Sequence, residues 1–146
     1  MKVSFRKNPE LQEPEITVSA PVKTPDIERL LQFLSGMDIS PLTAYDGDRA
    51  IRVSGPDILR FFTDGKTVSV ETEEGVFGVR ERIYQLEEKY CTGRFVRISQ
   101  SEIVNLDKVT AIDLSLTGTV RMQMTSGSSA YVSRRYMRKI REAIGL

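Results

Sequence analysis

The stretch FVRISQSEIVNL, residues 95–106, carries the strongest structural signal in the chain. Its apolar residues Phe95, Val96 and Ile98 predict a β-strand. The polar residues 99–102 predict a loop or a helical turn, and a second apolar run, residues 103–106, follows directly. A short connection rich in hydroxyl and amide side chains therefore lies between two apolar runs.

The segments on either side of this stretch predict further short elements. Upstream, a strand at residues 76–79 leads into apolar residues at helical spacing, which predict a short helix near residues 80–90. Downstream, residues 130–132 predict a last strand, and Ser133 is the expected N-cap of a terminal helix. Other predicted strands lie at residues 57–63 and 109–116, with a turn at residues 117–118 after the second. The pattern predicts an α+β fold that is mostly β.

In this order, the three segments resemble the LytTR DNA-binding domain family. Residues 95–105 fit its signature F-x-R-x-H/S-x-S-x-x-V-N, residues 75–86 fit the preceding strand and helix, and residues 130–140 fit its closing block. The resemblance covers residues 49–146. It implies an elongated fold of short β-sheets with short helices, and recognition of double-stranded DNA by loops that enter successive grooves.

The resemblance also implies what the protein does and with whom. Members of this family are bacterial transcription regulators, so we expect a sequence-specific DNA-binding regulator without catalysis, cofactor or small-molecule substrate. Family members bind direct repeats at promoters, which implies a homodimer on DNA. The chief alternative is a protein-interaction adaptor whose basic face meets an acidic partner.

Three side chains are the candidates for reading bases. By resemblance, Arg135 matches a base-reading arginine, whose fork suits guanine O6 and N7. Gln100 matches a polar base-contacting position, and its amide can pair with adenine N6 and N7. Lys66 approximately matches a DNA contact in a third loop. The alternatives are exposed cations in solvent and a loop amide bonded to its own backbone.

Four more residues are candidates for contacts with phosphates or bases. Arg134 neighbours Arg135, and Ser99 stands where many members carry histidine, which shortens its reach. Ser101 could contact phosphate or cap the following turn. Arg97 could contact phosphate, or it could pair with a carboxylate or stack on an aromatic ring. Asn105, in the same signature, is expected to fix a turn with its amide.

Residues 1–48 precede the resemblance and form a predicted N-terminal extension. Residues 2–6 and 15–20 predict strands, and Thr24 followed by Pro25 predicts the start of a helix. We expect this extension to support dimerisation or contact with a partner through the apolar face of that helix. The other interpretation is that the face packs on its own domain. The face is formed by Ile27, Leu30, Leu31 and Leu34.

The extension is too short for a receiver domain, which is of ordinary domain size. The family is usually the output half of a response regulator, so the expectation is a regulator without a receiver. Compact regulators of this kind are encoded beside small membrane proteins, so the resemblance also points to such a membrane-protein partner.

Residue types that the chain lacks exclude most common catalytic sites. Its 146 residues include no histidine and a single cysteine, Cys91. A histidine general base or a Ser–His nucleophile pair therefore cannot form, nor can a disulfide within the chain. We accordingly expect no enzyme and no metal site. The single cysteine and the absence of an apolar leader predict a cytoplasmic location.

The charge of the chain is uneven along its length. The net charge is only +1, but residues 94–146 carry 9 basic and 4 acidic side chains. This excess favours a surface that faces a polyanion, although a solvated basic face gives the same pattern. Cys91 lies near cations that could make it a redox sensor, but a small, partly buried residue is the simpler interpretation. The adjacent carboxylates at 73–74 and 87–88 predict solvated faces.

Overall fold

Short alternating segments of the sequence form antiparallel strands around two apolar cores. The computed structural model describes residues 1–35, 41–91, 94–114 and 119–145. The helices are α1 (Pro25–Ser35), α2 (Ile83–Tyr90) and α3 (Met137–Ile144), with 3-10 helices at Gly55–Asp57, Leu106–Lys108 and Arg134–Tyr136. The strands are β1 (Leu42–Asp46), β2 (Arg49–Val53), β3 (Ile58–Asp64), β4 (Thr67–Thr72), β5 (Gly75–Val79), β6 (Phe95–Ser99), β7 (Glu102–Asn105), β8 (Val109–Asp113), β9 (Val120–Met124) and β10 (Ser129–Val132).

The strands form two antiparallel sheets. The larger sheet has the order β2-β1-β5-β4-β3-β7-β6, and the smaller sheet has the order β10-β9-β8. In the larger sheet, β3 pairs with its sequence neighbour β4 on one side and with the distant β7 on the other. This pairing brings residues 102–104 beside residues 60–62.

Successive residues of the signature stretch 95–106 are apolar because its two strands, β6 and β7, are buried on both faces of the sheet. Phe95 of β6 and Ile103 of β7 enter a first core, together with residues of α2. Val96 and Val104, their immediate neighbours, enter a second core formed with the smaller sheet and Ile140 of α3. Successive side chains of a strand point to opposite faces, so one stretch supplies both cores.

Aromatic packing anchors the first core. The rings of Phe61, Tyr90 and Phe95 lie with centroids 5.0 to 6.2 Å apart, in tilted arrangements. Each of these residues is at most 2% exposed. Burial of one such side chain stabilises the fold by roughly 1.5–3 kcal/mol, so this cluster fixes α2 against β3 and β6.

A buried ion network joins the two sheets. Arg60 of β3 contacts Glu71 of β4 and Glu102 of β7, each at 2.5 Å, and all three side chains are at most 15% exposed. Ser126 and Ser128 in the β9–β10 turn donate hydrogen bonds to the Glu71 carboxylate, each at 3.0 Å. Burial raises the pKa of Glu102 and Arg60 lowers it in part, so the cation is needed to hold both carboxylates.

Local signals place the helix ends. The Thr24 hydroxyl accepts a hydrogen bond from the Ile27 N–H at 3.3 Å, which caps α1 as predicted. The Gln85 side chain accepts one from the Arg82 N–H at 2.9 Å at the start of α2. Gly145 ends α3 with a φ of 77°, which suits a residue without a side chain. No helix in the described ranges is long and apolar enough to cross a bilayer.

The mostly β fold class with a few short helices is confirmed, and some predicted boundaries are wrong. Residues 2–6 and 15–20 form no strand, because no neighbouring strand supplies hydrogen bonds to them. The strand predicted at 57–63 begins one residue later, since Asp57 lies in a 3-10 helix. The strand predicted at 109–116 ends at Asp113, and the turn predicted at 117–118 lies outside the described residues.

The division of the chain at residue 48 stays a prediction. β1 lies on the N-terminal side of that division, yet it pairs with both β2 and β5. Leu42 and Ala44 of β1 are buried in the first core. The N-terminal segment that contributes no strand therefore ends before β1.

Removal of the cation at the centre of the ion network should destabilise the fold strongly. We expect Arg60→Ala to lower the free energy of unfolding by about 3–5 kcal/mol, because Glu71 and Glu102 would be left buried without a cation. Urea denaturation at pH 7 measures this loss. Arg121→Ala is the matched control, since Arg121 pairs with Asp113 on a more exposed surface. It should cost less than about 1 kcal/mol, and equal losses would contradict the structural role of Arg60.

Candidate nucleic-acid interface

Three connections predicted to contact DNA meet at one end of the two sheets. The Thr63 N–H at the end of β3 donates a hydrogen bond to the Ser101 carbonyl at 2.8 Å. The Ser133 N–H, just after β10, donates one to the Ile98 carbonyl at 2.9 Å. The β6–β7 turn therefore lies between the β3–β4 turn and the connection from β10 to α3.

The Arg97 guanidinium holds the β6–β7 turn from below. Its Nε donates to the Ser99 carbonyl at 3.0 Å, and one Nη donates to the Gln100 carbonyl at 2.7 Å. The other Nη pairs with Glu87 of α2 at 3.1 Å, and the guanidinium carbon lies 6.0 Å from the centre of the Tyr136 ring. Since the Arg97 side chain is only 15% exposed, it joins α2, the turn and the Arg134–Tyr136 helix.

Hydroxyl groups complete the turn. The Ser101 N–H donates a hydrogen bond to the Ser99 hydroxyl at 3.2 Å, a local bond typical of serine turns. The two hydroxyls lie 3.3 Å apart. Gln100 between them is exposed, and its side-chain amide has no partner in the described parts of the chain. The turn thus presents a free amide on a backbone that is fixed on both sides.

The β3–β4 turn presents a lysine at the same end of the larger sheet. Asp64 pairs with Thr67, so Gly65 and Lys66 form a two-residue hairpin loop. Gly65 has a φ of 65°, a conformation that L side chains rarely adopt, at the first loop position. Lys66 at the second position is exposed.

Three cations at this end of the molecule have no counterion among the described residues, whereas Arg138 on α3 lies 3.8 Å from the Glu142 carboxylate. Arg134 and Arg135 are exposed in the 3-10 helix after β10. Neither they nor Lys66 form an ion pair within the described ranges. Arg138, Lys139 and Arg141 follow on α3 and are exposed as well. Adjacent positive charges without counterions attract a polyanion.

The structure brings six of the seven candidate residues to this end as exposed or half-exposed side chains. These residues are Lys66, Ser99, Gln100, Ser101, Arg134 and Arg135. Arg97 differs, because its donors already bind a carboxylate and two backbone carbonyls. These contacts match the alternative interpretation of Arg97, in which it pairs with a carboxylate and lies beside an aromatic ring.

Sequence reasoning missed the residues that support the turn. Glu87 carries the ion pair to Arg97, and the Tyr136 ring lies beside it. In the sequence, Glu87 stands out only as half of an adjacent carboxylate pair, and this pattern does not indicate that Arg97 is its partner. Asn105 does fix a turn as expected, since its amide donates to the Ile58 carbonyl and its oxygen accepts from the Asp107 N–H.

The surroundings of Cys91 do not favour redox chemistry. Burial, and to a smaller extent the Glu87 carboxylate, raise the pKa of the Cys91 thiol to about 12, although Lys139 and Arg97 oppose the shift. The thiol therefore stays protonated at neutral pH, and the thiolate is the reactive form. No group of three or more potential metal ligands occurs in the residues that the structure describes.

Comparisons with known proteins identify the relatives of this chain. The family model described as the LytTr DNA-binding domain matches residues 48–145. Two uncharacterized HTH-type transcriptional regulators of Staphylococcus aureus, from strains NCTC 8325 and COL, are each 29% identical over the full chain and 99% of their own length. A similar regulator from strain MRSA252 is 28% identical over the same range.

A solved structure shares the fold. It is the LytTr DNA-binding domain of a Bacillus cereus protein described as a methyl-accepting/DNA response regulator. It superimposes with a TM-score of 0.71 and 24% identity, and the match covers 75% of this chain and 100% of that one. Although the Staphylococcus aureus relatives are named HTH-type regulators, no two α-helices in the described parts of the present chain follow each other directly, because strands separate α1 from α2 and α2 from α3.

Arg97→Met should loosen the β6–β7 turn without unfolding the sheets. Each lost bond from a charged donor contributes about 1.5–3 kcal/mol, so the Thr63 N–H bonded to Ser101 should exchange with solvent at least about tenfold faster. Native-state hydrogen exchange measures this change, with the Val70 amide in the sheet centre as the internal control. Equal acceleration at Thr63 and Val70 would mean global destabilisation and would contradict a local role for Arg97.

Proposed function

Because the chain belongs to the LytTR DNA-binding domain family, we propose that this DNA-binding regulator recognises a specific duplex sequence with the three connections that meet beside the β6–β7 turn. The observation that carries the proposal is the pair of backbone hydrogen bonds that join these connections. These bonds support the proposal because they bring together the turns that carry Gln100, Lys66 and Arg135, whose side chains have no partner in the described residues.

The residues have separate roles in this proposal. Arg135 reads guanine with its guanidinium fork, and Gln100 reads adenine with its amide, because these pairings are bidentate. Lys66 reaches a base edge or a phosphate from the neighbouring hairpin. Arg134 and Ser101 contact phosphates, which set affinity and register and carry no sequence information directly. Ser99 also faces the phosphates, although its hydroxyl already accepts the Ser101 N–H.

Loops, and not a recognition helix, carry the contacts in this proposal. α3 is the helix nearest to the cations, but Ile140 in its middle is buried in the second core. Its basic residues can approach phosphates from the side while Arg135, before the helix, enters the groove. The protein acts without catalysis, by occupying its site on DNA.

The N-terminal segment supports a proposal about assembly. In α1, Leu31 and Phe33 are 36% and 49% exposed, and no α1 residue is fully buried. The Arg94 guanidinium lies 4.5 Å from the centre of the Phe33 ring, so α1 contacts its own domain through Phe33. We propose that the apolar face of α1, formed by Ile27, Leu30, Leu31 and Leu34, joins two copies on adjacent half-sites of DNA.

Arg135→Ala should reduce the preference for one sequence by about 5-fold to 150-fold, the equivalent of one bidentate base contact. A duplex recovered by selection from random sequences should bind wild type about 10³-fold more tightly than a shuffled duplex. The variant should lose about 1–3 kcal/mol of that discrimination, as measured by fluorescence anisotropy across a salt series.

The matched control for this test is Arg141→Ala, which removes an exposed cation from the last turn of α3. It should weaken binding to both duplexes by the same factor. If the two variants behave alike, Arg135 does not read a base. If selection recovers no sequence and wild type binds all duplexes weakly, the basic surface serves an acidic protein and the adaptor interpretation replaces the regulator.

Deletion of residues 1–35 should leave a folded domain that no longer pairs on DNA, since the deletion ends before β1. Circular dichroism should keep the strand signal, and sedimentation with a duplex carrying two half-sites should show independent binding in place of cooperative pairing. An unfolded product would show that α1 packs on its own domain. Unchanged cooperativity would place the dimer contact elsewhere in the chain.

A further inference from the structure

A groove lies beside the candidate interface, between the β3–β4 hairpin and the start of α2. Its volume is about 620 Å³. One wall includes Lys66 of the hairpin, and the other includes Arg80, Glu81, Arg82 and Tyr84 from the segment that joins β5 to α2. Lys66 therefore belongs both to the predicted DNA contacts and to this groove.

The charge in this groove is mostly positive and not internally paired. Lys66, Arg80 and Arg82 are exposed, and none of them forms an ion pair with a carboxylate in the described residues. The Arg80 guanidinium lies 4.2 Å from the centre of the Tyr45 ring, which fixes its plane. Glu81 is the acidic residue of the lining, and one of its carboxylate oxygens is buried without a hydrogen-bond partner.

We propose that this groove binds backbone phosphates of DNA that flank the bases read by the three connections. The inference rests on the proposed function, because the DNA must first be held at Lys66. Arginine guanidinium groups match phosphate oxygens with paired N–H donors. The groove extends the positive surface from Lys66 toward Arg80 and Arg82. A DNA backbone that passes Lys66 would therefore continue over these two arginines.

The composition of the groove favours a phosphate backbone over an apolar ligand. Thr63, Thr67 and Tyr84 add hydroxyl groups to its lining. Hydroxyl and guanidinium donors are the groups that contact phosphates in protein–DNA interfaces. The Glu81 carboxylate repels a phosphate, so it lowers the affinity of the groove for DNA below the value that the cations alone would give.

Arg82→Gln tests this assignment with a random-sequence duplex as the probe, since phosphate contacts are independent of sequence. The slope of log K against log salt should become shallower by about 0.9, the value for one phosphate contact. Affinity at 0.1 M salt should fall about fivefold to tenfold, by the same relation. Arg82 carries no ion pair in the described ranges, so the variant should keep its unfolding temperature.

Arg52→Gln is the matched control, with the same change of charge. Arg52 lines a different cleft together with Glu73 and Glu74, which form the turn at the opposite end of β4 from Lys66. Its salt slope should equal that of wild type. An equal loss in the two variants would overturn the groove, because it would reflect net charge alone.

Glu81→Gln provides a test with the opposite sign. Removal of this carboxylate should tighten binding to the random duplex several-fold, because a charge that repels phosphate is lost. Unchanged or weaker binding would overturn the inference. If wild type itself shows no salt-dependent binding to any duplex, the proposed function fails. If wild type binds and Arg82→Gln has the wild-type slope, the groove alone fails.

Discussion

The geometry of the candidate interface depends on the Arg97 guanidinium. It pairs with the Glu87 carboxylate on one side, and two more of its N–H groups donate to the consecutive carbonyls of Ser99 and Gln100. A side chain that is only 15% exposed and already paired with a carboxylate is better placed to support the turn than to neutralise a phosphate. Because the neighbouring connections hydrogen bond to Ser101 in this turn and to Ile98 at the end of β6, we expect the position of Arg97 to affect Lys66 and Arg135.

The two sheets supply the rigid support that such a turn requires. β3, β6 and β7 send alternate side chains into both cores, so neither core can shift without the other. The ion network around Arg60 joins the β9–β10 turn to the larger sheet at the end remote from Lys66. The buried network therefore runs from the β9–β10 turn to Glu102, which follows the β6–β7 turn directly, while Lys66, Arg134 and Arg135 are exposed and form no ion pair in the described residues. Side chains placed on rigid elements read DNA with less loss of conformational entropy on binding.

The sequence predicted those features that depend on near neighbours. The strand, turn and second apolar run of residues 95–106, the helical spacing of α2 and the threonine cap of α1 all follow from local patterns and agree with the structure. The pairing of β3 with β7 and of β1 with β5 joins segments far apart in the chain, and no local pattern specifies it. For the same reason, the sequence could not decide between a phosphate contact and a carboxylate pair for Arg97. Its partner Glu87 is brought to it only by the packing of α2. Residues 2–6 and 15–20 have strand-like patterns, but a strand also needs a partner.

Amide chemical shifts during titration with a selected duplex test the central claim most directly. The account predicts that the largest changes fall on residues 64–66, 99–101 and 133–136, which share one end of the sheets. Residues 73–74 and 125–128, at the opposite end, should change little. Changes that concentrate at that opposite end, or on α1, would contradict the claim that this protein reads DNA with the connections held by Arg97.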